Sequence, residues 1–345
     1  MEHEERQVVK LFGRIFLVAV LAIIPLTVFA KSHSGKMKME FDLSDHALDK
    51  EAQLWVPYPV SDKYQDISNV HVEGDFAESA VYTDKVFKTP MLYVRWAKGA
   101  ESRKLTYICD ITREERLDKN LPSWETNWDP ADFKQELAAT GYAPITGTVK
   151  ELADKITAGK GTVYAKSKAI YDWICENMFR DPETRGCGKG DVCNLLVTRG
   201  GKCSDILSVF VALARASGVP AREVFGIRQG KKGDTNITGW QHCWAEFYLP
   251  GYGWMVVDPG DVRKKMLREK LELDDAKTAE YREYFWGGVD PYRVKLGIGR
   301  DLTLSPAQNG PSVNYLMYPY AQIGEETLDW LDPKTFRYTI THTSN

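Results

Sequence analysis

The 345-residue chain carries no surplus of basic charge. Its 45 lysines and arginines face 48 acidic residues, for a net charge of −3. That excludes an electrostatic case for a nucleic-acid partner, which needs a basic face or stripe. Cysteine is scarce. Six in the whole chain exclude a disulfide-dense miniprotein, and a chain of this length builds its core without such staples. The 27 glycines and 16 prolines sit near average usage, so collagen-like and low-complexity chains are excluded as well. There is no internal repeat. Beyond residue 30 histidine is confined to His33, His46, His71, His242 and His342, which narrows the choice of a general base. What is present, 43% apolar and 12% aromatic residues, is the composition of a globular chain of two or three domains.

The apolar run Ile15–Ala30 spans sixteen residues with Pro25 inside it. A membrane-spanning helix needs about 20. Arg6, Lys10 and Arg14 precede the run and Val28-Phe29-Ala30 close it, the layout of a secretory signal peptide cut after Ala30. Glu2, Glu4 and Glu5 offset the basic charges. Residues 1–30 are expected to direct export to the periplasm or the exterior, with a retained anchor as the alternative. Membrane contact is expected through this segment alone.

Residues 31–120 read as a small antiparallel β domain. Leu105, Tyr107, Cys109 and Ile111 alternate with polar residues on one strand. Residues 121–160 are polar and broken by Pro122, Pro130, Gly141, Pro144 and Gly147, a connector. Ile170, Trp173, Ile174 and Met178 then follow a helical stripe. The stretch after Gly200-Gly201, with Ile206, Leu207, Val209, Phe210, Val211 and Leu213, leaves almost no polar face, so that helix is central. Gly218 and Pro220 end it. Strands are expected at Ala221–Arg228, Gln241–Leu249 and Trp254–Asp258, the last two a hairpin around Pro250-Gly251. Residues 263–285 read as one charged helix with Leu267, Leu271, Tyr281 and Phe285 as candidate buried positions. A second, α+β domain is expected over residues 161–300. Residues 301–345, with Phe336, Tyr338 and Ile340 alternating, are expected as closing strands packed on that core.

Cys203 opens the central helix directly after two glycines. A helix N-terminus presents unpaired N–H groups and partial positive charge. Both favour thiolate, the nucleophilic form, and the same N–H groups suit a developing oxyanion. His242 is the histidine on a strongly patterned strand nearby. A three-residue turn at Leu249–Gly251 would set it opposite Asp258, and another even-sum register would make the two diagonal neighbours. Either lets Asp258 orient the imidazole. Trp240 and Trp244 are candidates for substrate contact, and with Trp254 for keeping water from the ion pair. Asp205 complements the helix dipole. Arg222 and Arg228 read as structural salt-bridge partners before substrate binders. Cys187 and Cys193 bracket Gly188-Lys189-Gly190-Asp191 and are the candidate pair for a loop disulfide. A zinc site using them with Cys203, His242 or Cys243 matches no common spacing and would consume the nucleophile, so no metal and no cofactor is expected.

The blocks GGKCSDI (200–206), ALARASGVPAREVFGIR (212–228), QHCWAEFYL (241–249) and GWMVVDP (253–259) resemble the transglutaminase-like superfamily, closely over residues 160–262. The resemblance implies an α+β fold: a papain-like core, with a central helix on an antiparallel sheet, behind a small β-sandwich. It implies a triad of Cys203, His242 and Asp258. It also implies an acyl-enzyme thioester formed from a protein or peptide substrate. Hydrolysis is expected before transfer to an amine, and a non-catalytic surface binding module is the rival from another class. Asn194 and Gln241 are the candidates for a second oxyanion donor.

Overall fold

The computed structural model describes residues 31–122 and 124–345; the expected signal segment lies outside the described residues. Among these, no helix is long and apolar enough to cross a membrane.

The chain opens with strands β1 (Ser32–Asp42), β2 (Ala52–Pro57), β3 (Gln65–Gly74), β4 (Glu78–Thr83), β5 (Pro90–Trp96) and β6 (Lys104–Glu114), then the short β7 (Arg116–Leu117). β1 and β6 pair antiparallel with Met37 opposite Cys109 and Met39 opposite Tyr107. Alternation puts these four side chains inside. A helical segment follows: α1 (Thr148–Thr157), α2 (Val163–Asn177), β8 (Phe179–Arg180), α3 (Val192–Thr198), β9 (Gly200–Gly201) and α4 (Cys203–Ala216). Next come β10 (Ala221–Arg228), β11 (Asp234–Asn236), β12 (Gln241–Leu249), β13 (Gly253–Val257), α5 (Pro259–Glu269) and α6 (Ala276–Phe285). The chain closes with β14 (Gly288–Val289), β15 (Arg293–Ile298), β16 (Tyr320–Ile323), β17 (Glu326–Thr327) and β18 (Tyr338–Ser344).

Two layers position the site. In the first, the antiparallel sheet β13-β12-β10-β15 carries α4 on one face. All fourteen residues of α4 are buried, because α1, α2, α3, α5 and the sheet enclose it. That explains a helix sequence with no polar face. In the second layer, the sheets β11-β18-β1-β6-β3 and β17-β16-β2-β5-β4 share one apolar core, built from Met39, Tyr107, Leu54, Val94, Ile323 and Ile340 among others. This is the expected sandwich, larger than the sequence suggests.

Two expectations are corrected here. The closing strands do not pack on the helical core. β18 extends β1 with Ile340 opposite Met39, and β16 extends β2 with Ala321 opposite Leu54. Both cover strand edges of the sandwich that would otherwise stand open. The stretch around Met317 and Tyr318 joins the core of α4, with partly buried Tyr315, Trp330 and Leu331 packed against it. The charged helix is two helices, α5 and α6. Lys270 adopts a left-handed φ of 54°, and the Leu271 N–H turns back to the Met266 carbonyl at 2.9 Å, so α5 closes there. Leu267 is exposed.

Candidate active site

β8 and β9 pair in parallel, Phe179 beside Gly200 and Arg180 beside Gly201. This two-residue ladder delivers the chain into α4 with Cys203 as its first residue. Gly201 is required by the approach: a Cβ there would sit 2.4 Å from the Asp205 Cβ. The Asp205 carboxylate accepts the N–H groups of Gly190 at 2.8 Å and Lys202 at 3.1 Å. It is a helix-start clamp, tying the loop before α3 to the residue preceding Cys203. The Cys187 carbonyl accepts the Ser204 N–H at 3.0 Å. Buried Arg300 donates to the Ser204 and Ser208 hydroxyls at 2.8 and 2.6 Å and to Glu223 at 2.8 Å. The start of α4 is therefore fixed from three sides.

His242 stands near the start of β12, buried, with Nε2 2.8 Å from Asp258 Oδ2. The hairpin register pairs Tyr248 with Trp254 and Ala245 with Val257. One step further it sets Asp258 opposite Trp244, diagonal to His242, so the second of the two allowed registers is the one adopted. Asp258 is also the N-cap of α5, and its Oδ1 accepts the Asp261 N–H at 2.8 Å. Fully buried Arg293 donates to Asp258 Oδ2. It also reaches Asp261 at 2.7 Å and Asp290 at 3.0 Å. Asp258 thus has both oxygens occupied and its charge balanced without losing its bond to the ring.

With Nε2 engaged by Asp258, the ring's other nitrogen, Nδ1, is left for Cys203. Hydrogen bonds from the Cys187 and Cys243 thiols, together with His242, outweigh burial and hold the Cys203 thiol well below the ordinary thiol range. The reverse holds for Cys187, where the bond to Cys203 and burial push the thiol well up. Cys187 Sγ also receives the Tyr318 hydroxyl at 3.2 Å and lies 3.4 Å from the Gln241 carbonyl. Of the three neighbouring cysteines, Cys203 is the one whose surroundings favour loss of the proton. His242, Asp258 and Asp261 lie close enough to share a cation, but Arg293 binds both carboxylates and Arg228 lies 2.5 Å from Asp261, so guanidinium already fills that place.

The remaining candidates divide. Gln241 is buried, and neither atom of its amide finds a partner among the described residues; it lines a cavity beside the site with half-exposed Trp240. Asn194 is exposed on α3, where its backbone N–H is capped by Asp191 at 3.3 Å, and does not reach the site. Trp244 is buried against Val224, Val256 and Val289. Cys187 and Cys193 do not pair: Cys187 turns inward and Cys193 is exposed on α3. Helix α3 separates their directions despite the glycines between them. Arg222 pairs with Glu246 at 2.7 Å and Arg228 with Asp261, as structural ion pairs. Sequence reasoning missed Arg293, Asp261, Arg300 and the placement of Cys187 against Cys203. Single arginines have no periodic signal; the one available hint was an Asp three residues after Asp258, inside the first turn of a helix.

A family model described as the transglutaminase-like superfamily matches residues 150–259. An uncharacterized protein of Haemophilus influenzae is 36% identical over 314 residues, covering 84% of this chain and 85% of that protein. A protein-glutamine gamma-glutamyltransferase of Pseudomonas aeruginosa is 29% identical over 188 residues, which is 49% of this chain and 27% of that protein. The solved structure of a candidate cysteine protease from Cytophaga hutchinsonii superposes with a TM-score of 0.54 at 17% identity, covering 92% of this chain and 99% of that one. That likeness shows the fold.

Proposed function

The chain belongs to the transglutaminase-like superfamily, and we propose that it is an exported cysteine enzyme that opens amide bonds of protein or peptide substrates through a thioester on Cys203. The observation that carries the reading is the 2.8 Å His242–Asp258 pair beside a thiol whose surroundings favour thiolate. In this reading Cys203 Sγ attacks the amide carbonyl carbon. The oxyanion that forms is met by the Cys203 N–H at the first turn of α4, with the unpartnered Gln241 amide as second donor. His242 returns the proton to the leaving amine, the C–N bond breaks, and an acyl-thioester remains. His242 then takes a proton from water as it attacks, and the acid leaves with Cys203 restored. Asp258 holds the ring and stabilises its cation. The apolar run ending at Ala30 supports export.

Water as the acceptor is favoured over an amine. An efficient transferase must keep water from the thioester. Trp244 is packed into its own cluster and Trp254 is stacked under Arg222 at 3.9 Å, so neither walls a dry tunnel. The test supplies a glutamine-containing peptide mixture and a labelled primary amine together. Acid product should form faster than labelled amide; the reverse makes the protein a transferase. Cys203→Ala should bring both products to background while the fold stays intact, at a cost of about 1–2 kcal/mol. Undiminished turnover by that variant removes the thioester mechanism altogether.

A further inference from the structure

A cavity of about 610 Å³ opens beside the site, within the usual size of a ligand pocket. Its wall includes Lys202 and Gln241, the chain neighbours of Cys203 and His242, and Cys187. Five cationic residues line it, Arg180, Lys202, Arg228, Lys264 and Arg268, and no Asp or Glu does among the described residues. In a chain of net charge −3 this is a local inversion. Of the five, Arg228 alone forms a salt bridge among the described residues, with Asp261 and Asp290. The contrast with buried Arg293 and Arg300 is direct: carboxylates match Arg293, and Glu223, the Lys189 carbonyl and the Ser204 and Ser208 hydroxyls match Arg300. Among the described residues, one guanidinium nitrogen on each of Arg180 and Arg228 is buried without an acceptor, and the buried Gln241 amide has no partner. Unmet buried donors are costly unless a partner arrives. Burial, and then repulsion from Arg228 and Arg180, lower the Lys264 pKa. The lining also carries the aromatics Trp240, Trp330 and Tyr338.

From this arrangement we infer that the cavity is the docking site for an acidic peptide segment, whose carboxylates meet Arg180, Lys202, Lys264 and Arg268 while the adjoining amide is presented to Cys203. The inference rests on the proposed amide chemistry and names its substrate class. A peptide is favoured over a polynucleotide because the cations sit in a walled pocket with an apolar side, not along a stripe. It is also favoured because the pocket abuts the residues preceding Cys203 and His242. Arg180 and Arg268 suit carboxylates in two-pronged contact.

Hexapeptide amides sharing one central amide, flanked by Glu, Gln or Lys, test the idea on the full chain. The Glu series should exceed the Gln series in kcat/KM by about tenfold at low salt, expressed in KM, and lose most of that lead near about 0.5 M salt. The double variant Lys264→Gln, Arg268→Gln should erase the lead of the Glu series over the Gln series. Equal rates for Glu and Gln peptides, or an unchanged lead in the variant, overturn the inference. A second readout separates its failure from that of the amide chemistry. Alkylation of Cys203 by neutral iodoacetamide needs no turnover. Millimolar Glu peptide should slow it severalfold where the Lys peptide does not, and the protection should vanish in the double variant. No protection, or stronger protection by a single-stranded oligonucleotide than by the Glu peptide, overturns the peptide site whether or not any amide is cleaved.

Discussion

Cys203 neighbours two other thiols, Cys187 and Cys243, which with His242 hold its own thiol well below the ordinary range. Thiolate is favoured there by these polar neighbours as well as by the end of α4. Removing one of them should therefore raise the pH at which Cys203 becomes reactive. Cys187→Ala should shift the acid limb of the iodoacetamide alkylation rate to higher pH. Cys187→Ser, which still offers an O–H donor, should hold it near the wild-type position. Identical pH profiles for Ala, Ser and wild type would show that Cys187 merely fills space. The triad candidates themselves were legible in the sequence because each sits at a marked place: Cys203 after a glycine pair, His242 in an alternating strand, Asp258 before a proline. The partners that hold them were not. Arg293 lies 35 residues from Asp258, and Cys187 reaches Cys203 through the path of an irregular loop.

At the level of elements, the strands Ala221–Arg228 and Gln241–Leu249 were readable to the residue, and the structure has them with those bounds. Local alternation and flanking glycine and proline suffice where pairing partners are close in sequence. The break between α5 and α6 escaped, since charged residues run through it and no glycine or proline marks it; a lysine takes the left-handed turn instead. The entry to α4 shows how an element becomes a site. Asp205 binds Gly190 and Lys202 at once, so it sets where the helix begins and thereby where Cys203 points. Asp205→Ala leaves two N–H groups unmet and should cost about 2 kcal/mol in urea unfolding, with a larger fractional loss in kcat than in KM. Asp205→Asn keeps an acceptor and should recover most of the stability. Normal kcat in a folded Asp205→Ala protein would show that the clamp does not set the nucleophile's position.

Across the whole molecule, the two ends of the described chain meet in one sheet. β18 lies between β1 and β11, and β11 belongs to the loop between the two strands that carry Arg228 and His242. The sandwich and the catalytic core are thus joined by a strand that the sequence placed elsewhere, because pairing over three hundred residues has no local signature. His342 is the sensitive point of this seam. It pairs with Met37 on one side and Thr235 on the other, is fully buried, and neither ring nitrogen finds a partner among the described residues. Gly35 is needed beneath it, as a Cβ there would meet the imidazole at 2.5 Å. Burial, and then the nearby His33, lower its pKa from 6.5 to about 4. A folded-state pKa depressed in a histidine means the fold favours the neutral ring. No penalty exists above the unfolded value, and stability is lost as pH falls from about 6.5 toward 4. At about pH 4.5 the loss from this one group should be about 2–3 kcal/mol. Urea unfolding of wild type and His342→Gln at about pH 7.5 and 4.5 measures it. Gln cannot gain a proton, so the variant should lose less stability than wild type on acidification, even if it is weaker at neutral pH. Parallel losses in the two proteins would place the acid sensitivity in other groups, with Glu246, held near about 2 by Arg222 and Arg116 against its burial, the next to examine.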